Sequence, residues 1–535
     1  MVTIAGFAGN RGRNLLNLDD LSPGGASISV IVTNHADAPI IEEAATRGIP
    51  TLVVERDDGE PRRDHEARIL EELDDFSFDL VCLDGYMRIL SGWMIEQLPT
   101  TLNVHPSLLP MFPGMDAWGD ALDAGVAVSG CTVHVVTVEV DEGPIVTQEP
   151  IPVHPVDTVA SLKRRILYEG EFKAYPRAVR WIAEGYAEVT TDADGSVDVT
   201  VTTDRDDGFV EHRVTSEDHL ETLRYGENPH QTAAIYGDYS VDAPSVALGS
   251  QISGDKGMSY VNYVDAAGAL DLITEFDAPA AAVIKHAAPA GCATASELAD
   301  AYDRALATDP MSAFGGIVAL NRPCDIETAD TIVESVKDIV VTPGVEEGAL
   351  ETLGERASMR VIDVSNGHPG PIGPDDRTDK WTTKPIVGGT LVQDRDRQRI
   401  VPTELEIVTE VDPTDAQLET MAFGWSVAKH ALSNAIVLAD GSETVGIGQG
   451  QVSRVDAVHL AIRKAREHAE GKSPEGSVLV SDAFFPFADG VELAAEAGVS
   501  AIVQPGGSRN DDAVIEAAND HGIAMAFTGQ RCFRH

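Results

Sequence analysis

Lysine is what this chain most lacks: there are ten in 535 residues, and none before Lys163. Acidic residues outnumber basic ones 87 to 39, a formal net charge of -48, so nucleic acid and anionic membrane surfaces are excluded as partners. The acids are interspersed along the whole length, which fits a cytoplasm of very high salt better than a local acidic docking surface. At ~1 M salt the Debye length is about 3 Å, and the self-repulsion of such a chain is screened. Cysteine is scarce too. Cys82, Cys131, Cys292, Cys324 and Cys532 are scattered with no Cys-x-x-Cys pair, which argues against a zinc site or a disulfide framework and predicts reduced thiols in a cytoplasm. No run of 18 apolar residues and no basic leader occurs, so neither a membrane span nor an export signal is expected.

The length predicts about three to four domain-sized units on a ~150-residue prior. From residue 1 to about 185, apolar strands alternate with helical patterns at Ala36 to Arg47, Arg62 to Leu73 and Val159 to Tyr168. That alternation predicts an α/β fold with a mainly parallel sheet. The runs 187–190 and 197–201 flank Asp194-Gly195 as a hairpin. The acidic stretch from Thr203 to Gly208 reads as a linker, and a second, longer α/β region follows without a visible internal repeat. Within it, residues 343 to 400, rich in Gly, Pro and Asp, read as a long irregular connection.

The most informative segment is Asn103-Val104-His105-Pro106-Ser107-Leu108-Leu109-Pro110, with Asp141 further on. An amide, an imidazole and a carboxylate can stabilise an oxyanion and move a proton during acyl transfer. Alone, His105 could simply end a strand. It follows the apolar run Thr101 to Val104, however, and ligand crevices of open α/β sheets lie at such carboxyl ends. Ala8-Gly9-Asn10-Arg11-Gly12-Arg13-Asn14 is a glycine-containing strand-to-helix turn, readable either as a tight turn or as a phosphate seat. With Met87-Arg88-Ile89-Leu90, Phe112-Pro113-Gly114, the run Gly130 to His134, Asp141-x-Gly143-Pro144-Ile145 and Tyr175-Pro176, residues 1 to about 185 resemble the glycinamide ribonucleotide (GAR) formyltransferases. The resemblance implies a Rossmann-like domain that uses 10-formyltetrahydrofolate as co-substrate. It implies Asn103, His105 and Asp141 as the catalytic trio, Gly12, Arg13, Asn14 and Glu171 as substrate contacts, and Arg62, Met87, Arg88, Ile89 and Leu90 around the folate. Arg13 stands where the family has serine, in a loop one residue longer, and Asp116 and Trp118 stand where many relatives have histidines. One of those histidines lies near the catalytic carboxylate, so the proton relay is the open point.

In the second region, Lys285-His286 follows the apolar run Ala282-Val283-Ile284. A structural salt bridge is the plain alternative for a lysine there. The runs Arg224 to Gln231, Asp309 to Gly316, Ser433 to Val437, Gly446-Ile447-Gly448-x-Gly450-Gln451, Ser481 to Phe487 and Arg531-x-Phe533-Arg534-His535 accompany it. Together, from about residue 220 to the last, they resemble the aminoimidazole carboxamide ribonucleotide (AICAR) formyltransferase part of the bifunctional purine enzyme. The resemblance implies two cytidine-deaminase-like lobes and a homodimer whose sites span the interface. It assigns His286 as base, Lys285 as acid or oxyanion partner and Asn434 to the carboxamide. It implies Arg224, Tyr225, Asn262, Gly316, Arg531 and Phe533 as nucleotide contacts, and Met311, Arg454, Phe484 and Asp489 as folate contacts. The deaminase motif of His-x-Glu with Pro-Cys-x-x-Cys is absent, so no catalytic metal is expected.

The expected layout is a GAR formyltransferase domain at 1–203, an acidic linker at 204–222 and an AICAR formyltransferase region at 223–535. Nothing matches an inosinate cyclohydrolase domain, so the implied protein is a haloarchaeal-type fusion of two formyl-transfer centres. For the first half the alternatives are a formyltetrahydrofolate hydrolase, a methionyl-tRNA formyltransferase or an inactive folate-binding or dimerisation module.

Overall fold

Short β-branched runs and amphipathic helices alternate through the first 200 residues, and they assemble as that pattern dictates. In the computed structural model, residues 2–192, 195–202, 208–377 and 380–535 are described. The chain divides into two units, Met1–Val214 and Thr215–His535. The first contains β1 (Thr3–Ala8), β2 (Ser27–Thr33), β3 (Thr51–Val53), β4 (Leu80–Asp84), β5 (Thr101–His105), β6 (Val128–Val135) and β7 (Ile145–Pro152). They form one sheet of order β3-β2-β1-β4-β5-β6-β7. Pairing is parallel from β3 to β5, whereas β6 and β7 are antiparallel. Alternate β1 residues feed two cores, Ile4 and Ala8 on one face, Ala5 and Phe7 on the other, as the period of two requires. Of the expected helices, Arg62–Leu73 is observed with those bounds, and the pattern at 36–47 narrows to Ile40–Arg47. The helix Val159–Arg165 runs through a π-helical turn, Ile166–Glu171, into Phe172–Glu184. The expected hairpin forms as β8 (Ala187–Thr191) and β9 (Val197–Val201); Asp194 of its turn lies outside the described residues.

Of the expected linker, residues 203–207 also lie outside the described residues. Its remainder is not a connector. Glu211 approaches Arg180 at 3.6 Å and His212 approaches Glu149 at 3.4 Å within the first unit. In the second unit β10 (Asp218–Leu223) pairs with β11 (Ala233–Gly237). High acidity masked the alternation of that strand.

The second unit is built on one twelve-stranded sheet. Its strands are β12 (Ser250–Ser253), β13 (Ala280–Lys285), β14 (Ala288–Thr294), β15 (Gly316–Leu320), β16 (Lys337–Thr342) and β17 (Arg360–Asp363), then β20 (Glu406–Ile407), β21 (Ile436–Asp440), β22 (Glu443–Gly448), β23 (Val478–Ser481), β24 (Ala501–Gln504) and β25 (Ala524–Phe527). The order β12-β17-β16-β15-β13-β14 is continued by β22-β21-β23-β24-β25-β20. Both halves repeat one pattern: an antiparallel hairpin, an antiparallel neighbour, two parallel steps and an antiparallel edge strand. The second region is therefore internally duplicated, although no repeat is visible in its sequence. A shared core runs under both halves, fed by the helices Tyr260–Ile273 and Asp415–Ala428, and each half has its own outer core. The supposed irregular connection at 343–400 contains the helix Glu347–Gly354, β17 and the hairpin β18 (Trp381–Ile386) with β19 (Gly389–Asp394). These elements are short, and flanking glycines and prolines hid them. All five cysteines are free and buried.

Candidate active sites

In the first unit β5 ends at His105, and the antiparallel register sets Asn103 opposite His134 and His105 opposite Thr132. Asp141 lies beside both imidazoles: Oδ2 is 3.3 Å from His105 Nδ1 and Oδ1 is 3.8 Å from His134 Nε2. The Gly114 N–H donates to Asp141 Oδ2 at 3.0 Å. His105 Nε2 faces the Phe112 carbonyl at 2.9 Å, so both of its ring nitrogens meet acceptors, which a doubly protonated ring satisfies. His134 Nδ1 faces the Val135 carbonyl at 3.1 Å, leaving Nε2 to accept from Asn103 Nδ2 at 3.2 Å. Burial pushes the His134 pKa down, opposed by the Val135 carbonyl and the Asp141 charge, which keeps this ring neutral. Asp141 has φ 59°. At Gly143 a Cβ would lie 1.8 Å from the Val135 carbonyl oxygen, so only glycine lets this loop close on β6.

His134 was not singled out as a site residue from sequence. It bears on the open point about the relay, because an imidazole does stand beside the carboxylate, supplied by β6. The signal was present in the pairing of Asn-x-His on one strand with Thr-x-His on the next. Asp116 and Trp118 do other work. Asp116 caps the helix Ala117–Asp123 through the Gly119 N–H, and the Lys163 ammonium sits 4.3 Å above the Trp118 ring.

The strand-to-helix turn after β1 brings together Gly12, Arg13, Asn14 and Glu171, but its helix N-terminus is already engaged. The Asn14 N–H donates to Asp84 Oδ2 at 2.8 Å. The Asn14 amide donates to Asp84 Oδ1 at 3.2 Å and to Glu171 Oε2 at 2.7 Å. Arg13 Nη1 donates to the Tyr168 hydroxyl at 3.1 Å. Burial, opposed by Asn14 and reinforced by the Asp84 charge, pushes Glu171 up to about 7. Gly12, with φ 57°, turns the chain into the helix. A phosphate at this turn would face the carboxylate of Asp84, so Arg13, beside Tyr168, and not the first helical turn as a whole, brings the positive charge to the seat.

The loop after β4 is tied down by Arg62, which donates to the Ile89 carbonyl, and by Glu66, which accepts from the Ser91 N–H at 2.8 Å. Met87 and Ile89 stay 64% and 60% exposed, and Arg88 is half-buried. Leu90 is buried among Phe7, Leu83 and Met94. Its side chain joins that core, whereas Met87 and Ile89 stay exposed.

In the second unit Lys285 ends β13, and its ammonium donates to the Phe314 carbonyl at 2.6 Å. His286 and Ala287 form the turn into β14 with φ 54° and 55°, an unfavourable conformation for residues with a Cβ. Asp265 holds it, accepting from the His286 N–H at 3.3 Å and the Ala287 N–H at 2.8 Å. His286 is left exposed. Gly316 opens β15, where a Cβ would meet the Ile284 carbonyl oxygen at 2.8 Å. Arg224, Tyr225 and Asn262 line one polar cavity of 290 Å³ with Lys256, Asp338 and Arg360. Asn262 closes a capping box with Ser259 there, its Oδ1 accepting from the Ser259 N–H at 3.1 Å.

Asn434 donates to the Gln451 carbonyl at 3.0 Å and accepts from Arg454 Nη2 at 2.9 Å. Arg454 is buried and also donates to Asp482 Oδ1 at 2.6 Å and Ser481 Oγ at 2.8 Å. Its guanidinium thus orients Asn434, and those partners offset its desolvation. Asp482 also accepts, through its carbonyl, from the Cys532 N–H at 3.0 Å, which anchors the tail carrying Arg531 and Phe533 beside Asn434. Met311 and Phe484 are exposed. Asp489 opens a helix and accepts from the Gly490 N–H. Two further positioning groups carried no sequence expectation: Asp265, and Gln449, whose amide reaches the Pro289 carbonyl at 2.8 Å and the Leu432 N–H at 3.3 Å.

Among the described residues, no group of three or more His, Cys, Asp or Glu side chains could hold a metal ion, and no helix is long and apolar enough to cross a membrane.

An imidazole–carboxylate–amide cluster at a sheet's carboxyl end and a Lys-His turn on a duplicated sheet define an enzyme of the formyltransferase class; accordingly, residues 2–179 match the formyl transferase family model. That family uses 10-formyltetrahydrofolate as co-substrate. The chain belongs to the AICARFT/IMPCHase bienzyme family, whose model matches residues 168–464, more than half its length. It is 47% identical over 323 residues to the bifunctional purine biosynthesis protein PurH of Cereibacter sphaeroides, covering 59% of this chain and 60% of that protein. PurH of Persephonella marina is 47% identical over 317 residues, 59% of each. The chain thus spans about 60% of the length of these relatives. Among solved structures it is similar to glycinamide ribonucleotide transformylase 1 from Symbiobacterium toebii, at 40% identity over 38% of this chain and 94% of that one, with a TM-score of 0.35.

Proposed function

We propose that the first unit transfers a formyl group from 10-formyltetrahydrofolate to the primary amine of GAR, and the second from the same donor to the amine of AICAR. The observation that carries the first half is Asp141 lying within 3.3 and 3.8 Å of two imidazoles while Asn103 bonds to one of them. Attack of the amine on the formyl carbon creates a tetrahedral oxyanion that Asn103 and doubly protonated His105 stabilise. The amine proton passes to the neutral His134 and Asp141 pair, and the folate nitrogen leaves carrying a proton. Glu171 and Arg13 hold the ribonucleotide, while Met87 and Ile89 receive the pterin. In the second unit His286 removes the proton of a weakly nucleophilic amine, Lys285 stabilises the oxyanion or protonates the leaving group, and Asn434 fixes the carboxamide. The cavity with Arg224, Tyr225 and Asn262 takes the nucleotide; Arg531 and Phe533 complete it in a homodimer; Met311, Phe484 and Asp489 border the folate.

On this reading residues 1–203 and 223–535 are the two catalytic regions. Ring closure to inosinate is assigned to another protein on this reading; the formyl transferase match at residues 2–179 supports it. Charge of -48 supports a halophilic cytoplasmic protein, and complete folding in dilute buffer would overturn that. The deciding assay gives the protein 10-formyltetrahydrofolate in molar KCl with GAR, AICAR, both or neither. Formylation of each substrate is expected. Folate release with neither would mark the first unit as a hydrolase, and AICAR formylation alone would leave it a binding module.

A further inference from the structure

The helix Arg454–Glu467 touches the second site at both ends. At its N-terminal end Arg454 holds Asn434 at 2.9 Å. Near its C-terminal end the Lys464 ammonium lies 3.0 Å from Asp309 Oδ2, and His468, which caps the helix, lies 3.2 Å from Asp309 Oδ1. Asp309 belongs to the other half of the duplicated sheet, and its carboxylate is almost fully buried. It shapes the loop that follows: the Ser312 N–H donates to Asp309 Oδ1 at 3.0 Å and the Ala313 N–H to the Asp309 carbonyl at 3.0 Å. One residue further on, the Phe314 carbonyl receives the Lys285 ammonium at 2.6 Å. The helix is close-packed on the strand below it. A Cβ at Gly448 would lie 1.9 Å from the Ala457 carbonyl oxygen, and one at Gly446 would lie 2.4 Å from that of Ala461, so the helix backbone rests directly on β22. Burial pushes the Asp309 pKa up, but the Ser312 contacts and the Lys464 ammonium outweigh it and hold the carboxyl below its usual range. It is therefore a charged anchor whose cost of burial is offset by its cationic partners.

We propose that this helix is a strut setting the distance between Asn434 and Lys285, and that Lys464, His468 and Asp309 are positioning residues for Lys285. The inference rests on the formyl-transfer reading of the second unit. Three of the chain's ten lysines then serve the site without touching substrate in two cases: Lys285 acts, Lys464 aims it through the 309–314 loop, and Lys472 secures the same seam, 2.7 Å from Glu443. A displaced Phe314 carbonyl would leave Lys285 able to bind but misplaced for reaction, so the loss should fall on turnover.

The test measures AICAR formylation in molar KCl for the whole protein and its Lys464→Met, Lys464→Arg and Asp309→Asn variants, alongside backbone hydrogen exchange of residues 309–316. Lys464→Met and Asp309→Asn should lower kcat at least tenfold with KM for AICAR within twofold, raise exchange across 309–316, and leave GAR formylation unchanged. Lys464→Arg should recover kcat to within threefold of the parent. The double variant Asp309→Asn/Lys464→Met should be no slower than the worse single one. Unchanged kcat in folded variants, a loss expressed in KM, or failure of arginine to rescue would each overturn the proposal. If the parent protein itself does not formylate AICAR, the functional reading fails instead, and the exchange data still decide whether Lys464 orders the loop.

Discussion

The two candidate sites solve the same chemical problem with opposite means. In the first unit the reactive imidazole is buried, 4% exposed, and its orientation comes from a carboxylate shared with a second imidazole. In the second unit His286 is exposed on a two-residue turn, and the carboxylate of Asp265 bonds to the backbone of the turn. The duplicated sheet sharpens the point. The corresponding turn of the other half, between β21 and β22, carries Gly441 at φ 55°, whereas the β13–β14 turn places histidine in the same strained region. One half uses glycine at this position; the other accepts the strain of a side chain at positive φ, and Asp265 offsets it. A buried relay suits an amine whose proton must travel to a fixed acceptor. An exposed base on a rigid turn suits a site completed from outside its own half.

That contrast breaks most sharply at Asp141. Asp141→Asn should lower GAR formylation about 10⁴-fold, because the neutral amide cannot support a doubly protonated His105, and should leave AICAR formylation intact. Steady-state rates on both substrates decide it; equal losses would mean the sites are not independent. His286→Ala should act in mirror image, lowering AICAR formylation about 10³-fold with GAR turnover unchanged. His286→Gly separates chemistry from conformation. It relieves the strain at φ 54°, so it should be more stable than the parent and as inactive as His286→Ala.

A third difference is in pH response. Burial raises Glu171 to about 7 from an ordinary 4.5, so the folded first unit favours the protonated carboxyl. That stabilisation is complete below pH 4.5 and is lost as pH rises through 7, a swing of about 3 kcal/mol. Glu171→Gln keeps an acceptor for Asn14 and should flatten the decline. Unfolding midpoints of the first-unit transition between pH 5 and 8 test this, and a parallel pH profile for both proteins would refute it.

What the sequence revealed follows from how local each determinant is. The β5 trio was legible because strand end, amide, imidazole and a glycine-bounded acid lie within a few tens of residues, and the parallel sheet follows from period-two strands alternating with helices. His134 was not, because its role depends on register between β5 and β6, a non-local quantity. Arg454 stood among the folate contacts through the family resemblance, and its enclosure by Asp482 and Ser481 is again a non-local fact. The duplication of the second unit was invisible because it conserves pairing directions and not side chains, and the burial of Leu90 beside exposed Met87 and Ile89 left no local signal because alternation in a loop has no fixed period.

The smallest effect concerns the departures from the family pattern around the first site. Asp116 accepts from the Gly119 N–H at 3.3 Å and so caps Ala117–Asp123; removing a cap of this kind costs about 1 kcal/mol. Asp116→Ala should therefore lower the unfolding midpoint slightly and keep GAR turnover within twofold, since His134 already supplies the imidazole beside Asp141. A loss of turnover beyond tenfold in a folded Asp116→Ala protein would place this aspartate in the proton path and return the relay to the loop that follows Phe112, leaving His134 as a β-strand residue that only packs.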